Sequence, residues 1–376
     1  MKEKVRYTFI DLLRGWAIIL MIEPHVFNTF LLPELKQTGW FSVVTFINGL
    51  IAPAFLFVSG FVFEISSGSK LYDMRKFKLP FWKKLWRLVS IILIGYALHL
   101  PFYSFSKILT KSTAEQIQGF FAFDVLQCIG VGLLILFALR LIIRSDKIYH
   151  YTLIVLTIIV TAVSPFFWKI EFTNYLHPVF ANYLNRLNGS LFPVFPWLNF
   201  ILVGAIFSKY FLNAATNNKE QKFIKTTTFA GIIMLFSGHL FYLGLFPDFL
   251  TSIIPNPVFF MERLGYVLFF ASLCWYYANW RKTKRSFVID ASRESLLIYW
   301  LHLLLIYTMI WKNKNFAEIL GPTLNVWESI VVTLSLMVSM VLAAKLWSWT
   351  KMKFPNYATK VAWGVVGVLF IIFLLS

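Results

Sequence analysis

Eleven apolar runs, each close to the length that crosses a bilayer, leave this chain few ways to fold. They occupy roughly residues 10–31, 41–63, 86–104, 121–143, 149–168, 190–211, 224–246, 257–279, 293–312, 325–347 and 360–375. A helix needs about 20 apolar residues to span the hydrocarbon core. Hydrophobic residues make up 59% of the 376, and charged ones 14%, where a soluble domain has about 45–50% and about 25%. No polar stretch is long enough to form a core of its own. The expected fold class is all-α: a polytopic integral membrane bundle of about 11 transmembrane helices, read as one domain over 1–376. The stretch 169–189 has room for a re-entrant piece.

The charges orient the bundle. Of the 35 Lys and Arg, 26 fall in alternate loops on one side and 7 on the other, with Arg14 and Arg263 inside spans. Excess Lys and Arg mark the cytoplasmic face. The N-terminus is therefore expected in the cytoplasm, and an odd number of spans puts the C-terminus outside, in a multi-pass cell-membrane protein. The net charge of +18 follows this loop pattern, so the bilayer is the partner it implies, not nucleic acid. Cys128 and Cys274 both sit in apolar runs and read as small core residues. No small-residue cleavage site follows the first run, so that run is expected to stay in the mature protein.

The first run is unusual. Ile10 to His25, IDLLRGWAIILMIEPH, carries Asp11, Arg14, Glu23 and His25 and is interrupted by Pro24. Ionisable groups inside a bilayer are costly, and each is by default a hypothesis about function. At 100° per residue, Arg14 and His25 fall on one face, roughly 16 Å apart along the axis, with Asp11 on the same side. Pro24 frees the carbonyl of Leu20 and should kink the helix just before His25. The plainer alternative is a buried Asp11–Arg14 ion pair with a packing histidine.

Other polar groups reach a similar middle-to-outer depth. Asp124 and Gln127, three apart, begin a span from the outside, Arg263 follows the outer start of another, and His302 lies seven residues after Ser295 on the same face. Asn48 and Ser59, with Pro53 between them, mark one face of the second run. Bundles turn such groups inward, so a shared cavity is expected. His99 and His239 read as packing residues, and His150 and His177 as loop residues. On the cytoplasmic side, Lys83 and Arg87 stand one helical turn apart beside Trp82 and Trp86. The positive-inside rule and an aromatic belt explain most of this; the functional reading is a site for a phosphorylated donor. No phosphate loop, dinucleotide fingerprint, H-E-x-x-H or Cys/His cluster of zinc spacing occurs, and no metal is expected.

These residues resemble a family. LLRGWAIILMIEPH (Leu12 to His25) is similar to the L-R-G-x-A…H opening of membrane acyltransferases of the acyltransferase-3 type. APAFLFVSGF (Ala52 to Phe61), FDVLQCIGVGLL (Phe123 to Leu134), FPWLNFILVGAIFSKYF (Phe195 to Phe211) and SLLIYWLHLLLIY (Ser295 to Tyr307) resemble the heparan-α-glucosaminide N-acetyltransferase-like group of the same transmembrane superfamily. The resemblance implies transfer of an acyl group, chiefly acetyl, from cytoplasmic acyl-CoA to an acceptor on the far side. It maps the motif histidine onto His25 and the motif arginine onto Arg14. It also maps the D-V-L-Q piece onto Asp124 and Gln127, and the Y-x-x-H piece onto His302. The chain departs from the heparan-type pattern, which places asparagine where His25 falls and a histidine further along; no histidine occurs here between His25 and His99.

Neutral imidazole suits the proton removal that acyl transfer requires. The expected catalytic set is His25 as base with Asp124 and His302. Glu23 is a second candidate carboxylate, and Arg263, Gln127 or Ser295 can serve the thioester oxygen. Arg14, Lys83, Arg87, Gln127 and Arg263 are the expected donor-binding residues. The acceptor, an amino sugar, a polysaccharide hydroxyl or a lipid-linked glycan, stays open, as does an oligomer. The competing reading is a transporter or flippase of a glycosylated or acylated substrate. Pro24, Pro53 and Pro196 would supply its broken helices, although neither half of the chain cleanly repeats the other.

Overall fold

The computed structural model describes residues 6–67, 71–281, 286–308 and 314–375, and among them the chain is helical with no strand beyond an isolated bridge between Leu31 and Leu324. In chain order the main helices are α1 (Thr8–Leu20), α2 (Ile22–Phe30), α3 (Gly39–Asn48), α4 (Ile51–Ser67), α5 (Leu79–Leu98), α6 (Val125–Ile142) and α7 (Asp146–Phe167). They continue as α8 (Val194–Thr216), α9 (Glu220–Tyr242), α10 (Pro257–Arg281), α11 (Phe287–Arg293), α12 (Ser295–Tyr307), α13 (Val326–Lys353) and α14 (Pro355–Leu375).

Eight of the eleven expected runs are long apolar helices, with α3 and α4 together forming one of them. The other three differ for local reasons. The first run is divided between α1 and α2 at Met21, three residues before Pro24, whose missing N–H leaves the Leu20 carbonyl outside the ladder. Helix α5 begins seven residues before its apolar run and carries Lys83, Lys84 and Arg87 in its first half. Helix α12 has 13 residues and ends at Tyr307. The 169–189 stretch holds only two short turns of helix, Phe172–Asn174 and Pro178–Ala181. Side chains pin it: Asn185 donates to the carbonyls of Phe167 (3.0 Å) and Ile170 (2.7 Å), and Asn182 to that of Phe121 (2.9 Å). The Thr173 hydroxyl (2.6 Å) and the Asn188 amide (2.9 Å) both donate to Glu171 and hold its carboxyl below the usual range.

The chain divides into two compact units. One comprises residues 52–99 and 117–276, hence nearly all of α4 through α10. In it α6 packs on α5 and α8, and α7 packs on α8. Glycines set the closest approaches: a Cβ on Gly60 would strike the Ile201 carbonyl, and one on Gly204 the Phe57 carbonyl. Helices α4 and α8 thus meet backbone to backbone, as small residues allow between membrane helices. Gly204→Ala is accordingly expected to cost about 1–3 kcal/mol through overpacking, read as a lower unfolding midpoint in detergent.

The second unit comprises residues 7–51, 100–116 and 277–376. Helix α1 packs on α11, where a Cβ on Gly15 would meet the Val288 carbonyl. The 28-residue α13 backs α2, α11 and α12. A capping box starts it: the Asn325 side chain accepts from the Glu328 N–H (3.0 Å) and the Glu328 carboxylate from the Asn325 N–H (2.8 Å). The chain just before that box pairs with the end of α2, through Leu324 N–H to Phe30 O (2.8 Å) and Leu32 N–H to Leu324 O (3.0 Å).

Candidate active site

In the second unit, α1 and α11 hold a polar triplet. The Arg14 guanidinium donates to Asp11 (3.2 Å) and to the Ser292 hydroxyl (2.9 Å), and Ser292 donates to Asp11 (3.4 Å). Asp11 and Ser292 are buried. The ion pair foreseen as the plainer reading of this helix is therefore present, and it engages Arg14.

Half a helix further, α2 and α12 bring two imidazoles together. The ring centroids of His25 and His302 are 5.2 Å apart. His302 is fully buried, and its Nδ1 lies 2.6 Å from the Ile298 carbonyl. A carbonyl only accepts, so Nδ1 carries the proton and the neutral ring presents its lone pair at Nε2. That Nε2 is buried and makes no hydrogen bond among the described residues. Tyr299 packs edge-on against His302, and Tyr307 edge-on against His25. The Tyr307 and Thr29 hydroxyls lie 2.7 Å apart. Of the two protons in such a pair one closes the bond, and the other is left to donate elsewhere. Glu23, one turn before Phe27, hydrogen-bonds Asn48 and has one buried carboxylate oxygen with no hydrogen bond.

Ser295 begins α12 in the second unit, and the other expected residues, Asp124, Gln127, Arg263, Lys83 and Arg87, lie in the first. Asp124 caps α6 by accepting from the Val125 N–H (2.7 Å), and its other oxygen lies 3.7 Å from His99 Nε2. His99 is thus more than packing, since its Nδ1 donates to the Gly95 carbonyl (2.9 Å) and aims Nε2 at the carboxylate. Gln127 is wholly buried against Gly95, with neither amide atom hydrogen-bonded among the described residues. Arg263 stacks over Phe259 at 4.0 Å beside buried Glu262. Lys83 and Arg87 are exposed, on the face of α5 that carries exposed Trp82 and Trp86. Asp124→Ala is expected to cost about 0.5–2 kcal/mol through loss of the cap, while Asp124→Asn keeps the cap and removes the charge facing His99. Thermal unfolding of the two variants separates these roles.

A second polar cluster in this unit was not expected. Arg140 bonds both Glu64 and Asp146, the latter at 2.8 Å, and Lys209 also bonds Asp146. Arg140 further stacks over Tyr149 at 3.7 Å, and His150, buried in the first turns of α7 and not in a loop, places Nε2 3.7 Å from Glu64. Glu64, Asp146 and His150 have metal-like spacing, within 4.8 Å of one another. Two cations already engage their carboxylates, so the cluster reads as an ion-pair network joining the ends of α4, α6, α7 and α8.

Residues 6–244 match the family model for heparan-alpha-glucosaminide N-acetyltransferase, catalytic. No curated protein matches the chain.

Proposed function

The chain belongs to the heparan-alpha-glucosaminide N-acetyltransferase catalytic family, and from that premise we propose that it moves an acetyl group from cytoplasmic acetyl-CoA, or another acyl-CoA, to an amine or hydroxyl of a sugar or glycan on the outer side of the cell membrane. The observation that carries the reading is the imidazole pair, His25 half-buried over fully buried His302. His25 acts as general base. It takes the acceptor's proton as the acceptor nitrogen or oxygen bonds to the acyl carbon, and returns it to sulfur as the C–S bond breaks. His302 is a positioning residue: its tautomer is fixed by Ile298, so its Nε2 offers a lone pair toward the site. The spare proton of the Tyr307–Thr29 pair suits the thioester oxygen, where charge develops in the transition state. The transfer step assigns no part to Asp124, Gln127 or Arg263.

Exposed Lys83 and Arg87, one turn apart, are the proposed contacts for donor phosphates, because paired cations on one helix face hold phosphate oxygens. Arg14, already engaged by Asp11 and Ser292, is proposed to hold α1 against α11 under the histidines.

The test is transfer of radiolabelled acetyl from acetyl-CoA in proteoliposomes supplied with amino sugars and glycans. Wild type is expected to acetylate at least one acceptor class and Tyr307→Phe to do so about 10–100-fold more slowly, the scale of one lost oxyanion donor or somewhat less. Undiminished transfer by Tyr307→Phe would remove that residue from the scheme.

A further inference from the structure

The first unit holds a cleft of 240 Å³ between α8, α9 and α10, with Ile206, Phe207, Tyr210, Phe223, Ala230 and Leu268 among its walls. It lies outside both polar clusters. Of the two threonines that α9 contributes, Thr226 turns its hydroxyl back to the Lys222 carbonyl (3.1 Å) and Thr227 is buried, and the other walls are mostly apolar. Gly231 and Gly265 lie where α9 meets α10, beside the wall residue Leu268. They bring α9 and α10 so close that a Cβ on Gly265 would lie 2.7 Å from the Gly231 carbonyl. Toward the start of α9, Phe223 closes the cleft against α8 through ring contacts with Phe207 (5.1 Å) and Phe211 (6.2 Å).

At bilayer depth such a space is filled by hydrocarbon or left empty, and emptiness forfeits dispersion contacts. The cleft's end has a definite charge. Lys219 caps α9 and Lys222 lies one turn before Thr226, both exposed and on the cleft side of the helix. The nearby acid, Glu220, is bonded by the Trp275 indole. Tyr210, 51% exposed, stands at the same end. The charge bias of the loops puts this end at the cytoplasmic leaflet, where anionic lipids concentrate. We propose that the cleft is a specific site for one anionic phospholipid, with an acyl chain between α8 and α9 and its phosphate on Lys219 and Lys222.

Native mass spectrometry of the full chain tests this, using protein from detergent with an equimolar mixture of phosphatidylglycerol and phosphatidylcholine. One retained phospholipid per chain is expected, with phosphatidylglycerol favoured by about fivefold per lysine. Lys219→Ser with Lys222→Ser should bring the headgroup ratio to near one while a lipid is still retained. Ala230→Phe should lower retention of both lipids, and Thr226→Trp, at the exposed rim, should do the same without entering the packed interior. No retained lipid on wild type, or equal retention in the filled variants, would overturn the proposal. So would displacement of the phospholipid by equimolar palmitoyl-CoA, which would identify the occupant as an acyl thioester chain.

Discussion

His25→Ala is expected to lower acetyl transfer by roughly 10²–10⁴-fold, the usual contribution of a general base, with little change in the unfolding midpoint. His25 is half-buried and makes ring contacts with His302 and Tyr307, so its removal opens space at a face that substrate must reach in any case. His302 is different. It is fully buried, and its Nδ1 bond to Ile298 is internal to α12. His302→Asn can keep a donor to that carbonyl while changing what faces His25. If His302 positions the base, His302→Asn should displace the pH–rate profile as well as its height. A purely packing role would lower stability and leave the profile where it was. Initial rates from pH 5 to 9 on wild type and both variants distinguish these outcomes.

Arg140→Met is expected to destabilise the first unit by about 3–5 kcal/mol, because it strands a buried carboxylate. Glu64 keeps only the Tyr149 hydroxyl at 3.4 Å and His150 at 3.7 Å once the guanidinium is gone. Asp146, half-exposed and still bonded by Lys209, loses less. Removing both charges, Arg140→Met with Glu64→Gln, should restore most of the lost stability, since a neutral pair of similar shape avoids the isolated charge. The measurement is a double-mutant cycle on thermal unfolding in detergent. Equal losses in the single and double variants would mean that the Arg140 guanidinium over the Tyr149 ring, not its pairing with Glu64, carries the effect.

The sequence made most of the helical architecture legible, because a bilayer-length apolar run has few alternatives. Pro24 announced the break between α1 and α2 through the carbonyl it orphans. Asp11 and Arg14, three residues apart, could be paired on paper because the helix itself sets their separation. Ser292, which completes that triplet, is 278 residues from Arg14, and nothing local marks a serine as its partner. Distance in the chain also hid the Glu64–Arg140 pair, whose partners are 76 residues apart. Arg140 looks like one more cytoplasmic loop cation until its partner is found, and His150 looks like a loop residue because it sits at the polar edge of α7. Conversely, His25 and His302 were each suspect from the cost of an imidazole at membrane depth. The bond that fixes the His302 tautomer is local, four residues back in α12, but the ring contact between His25 and His302 is a matter of tertiary geometry that no spacing rule reaches.

Whether this chain handles an acyl-CoA donor is tested most directly by equilibrium binding of acetyl-CoA to the full chain in nanodiscs, with Lys83→Ala/Arg87→Ala alongside. Saturable binding by wild type, weakened several-fold in the double variant while its unfolding midpoint is unchanged, is the predicted result. No binding of acetyl-CoA or longer acyl-CoA by an intact, monodisperse sample would contradict the account and make His25 and His302 parts of a transport path instead.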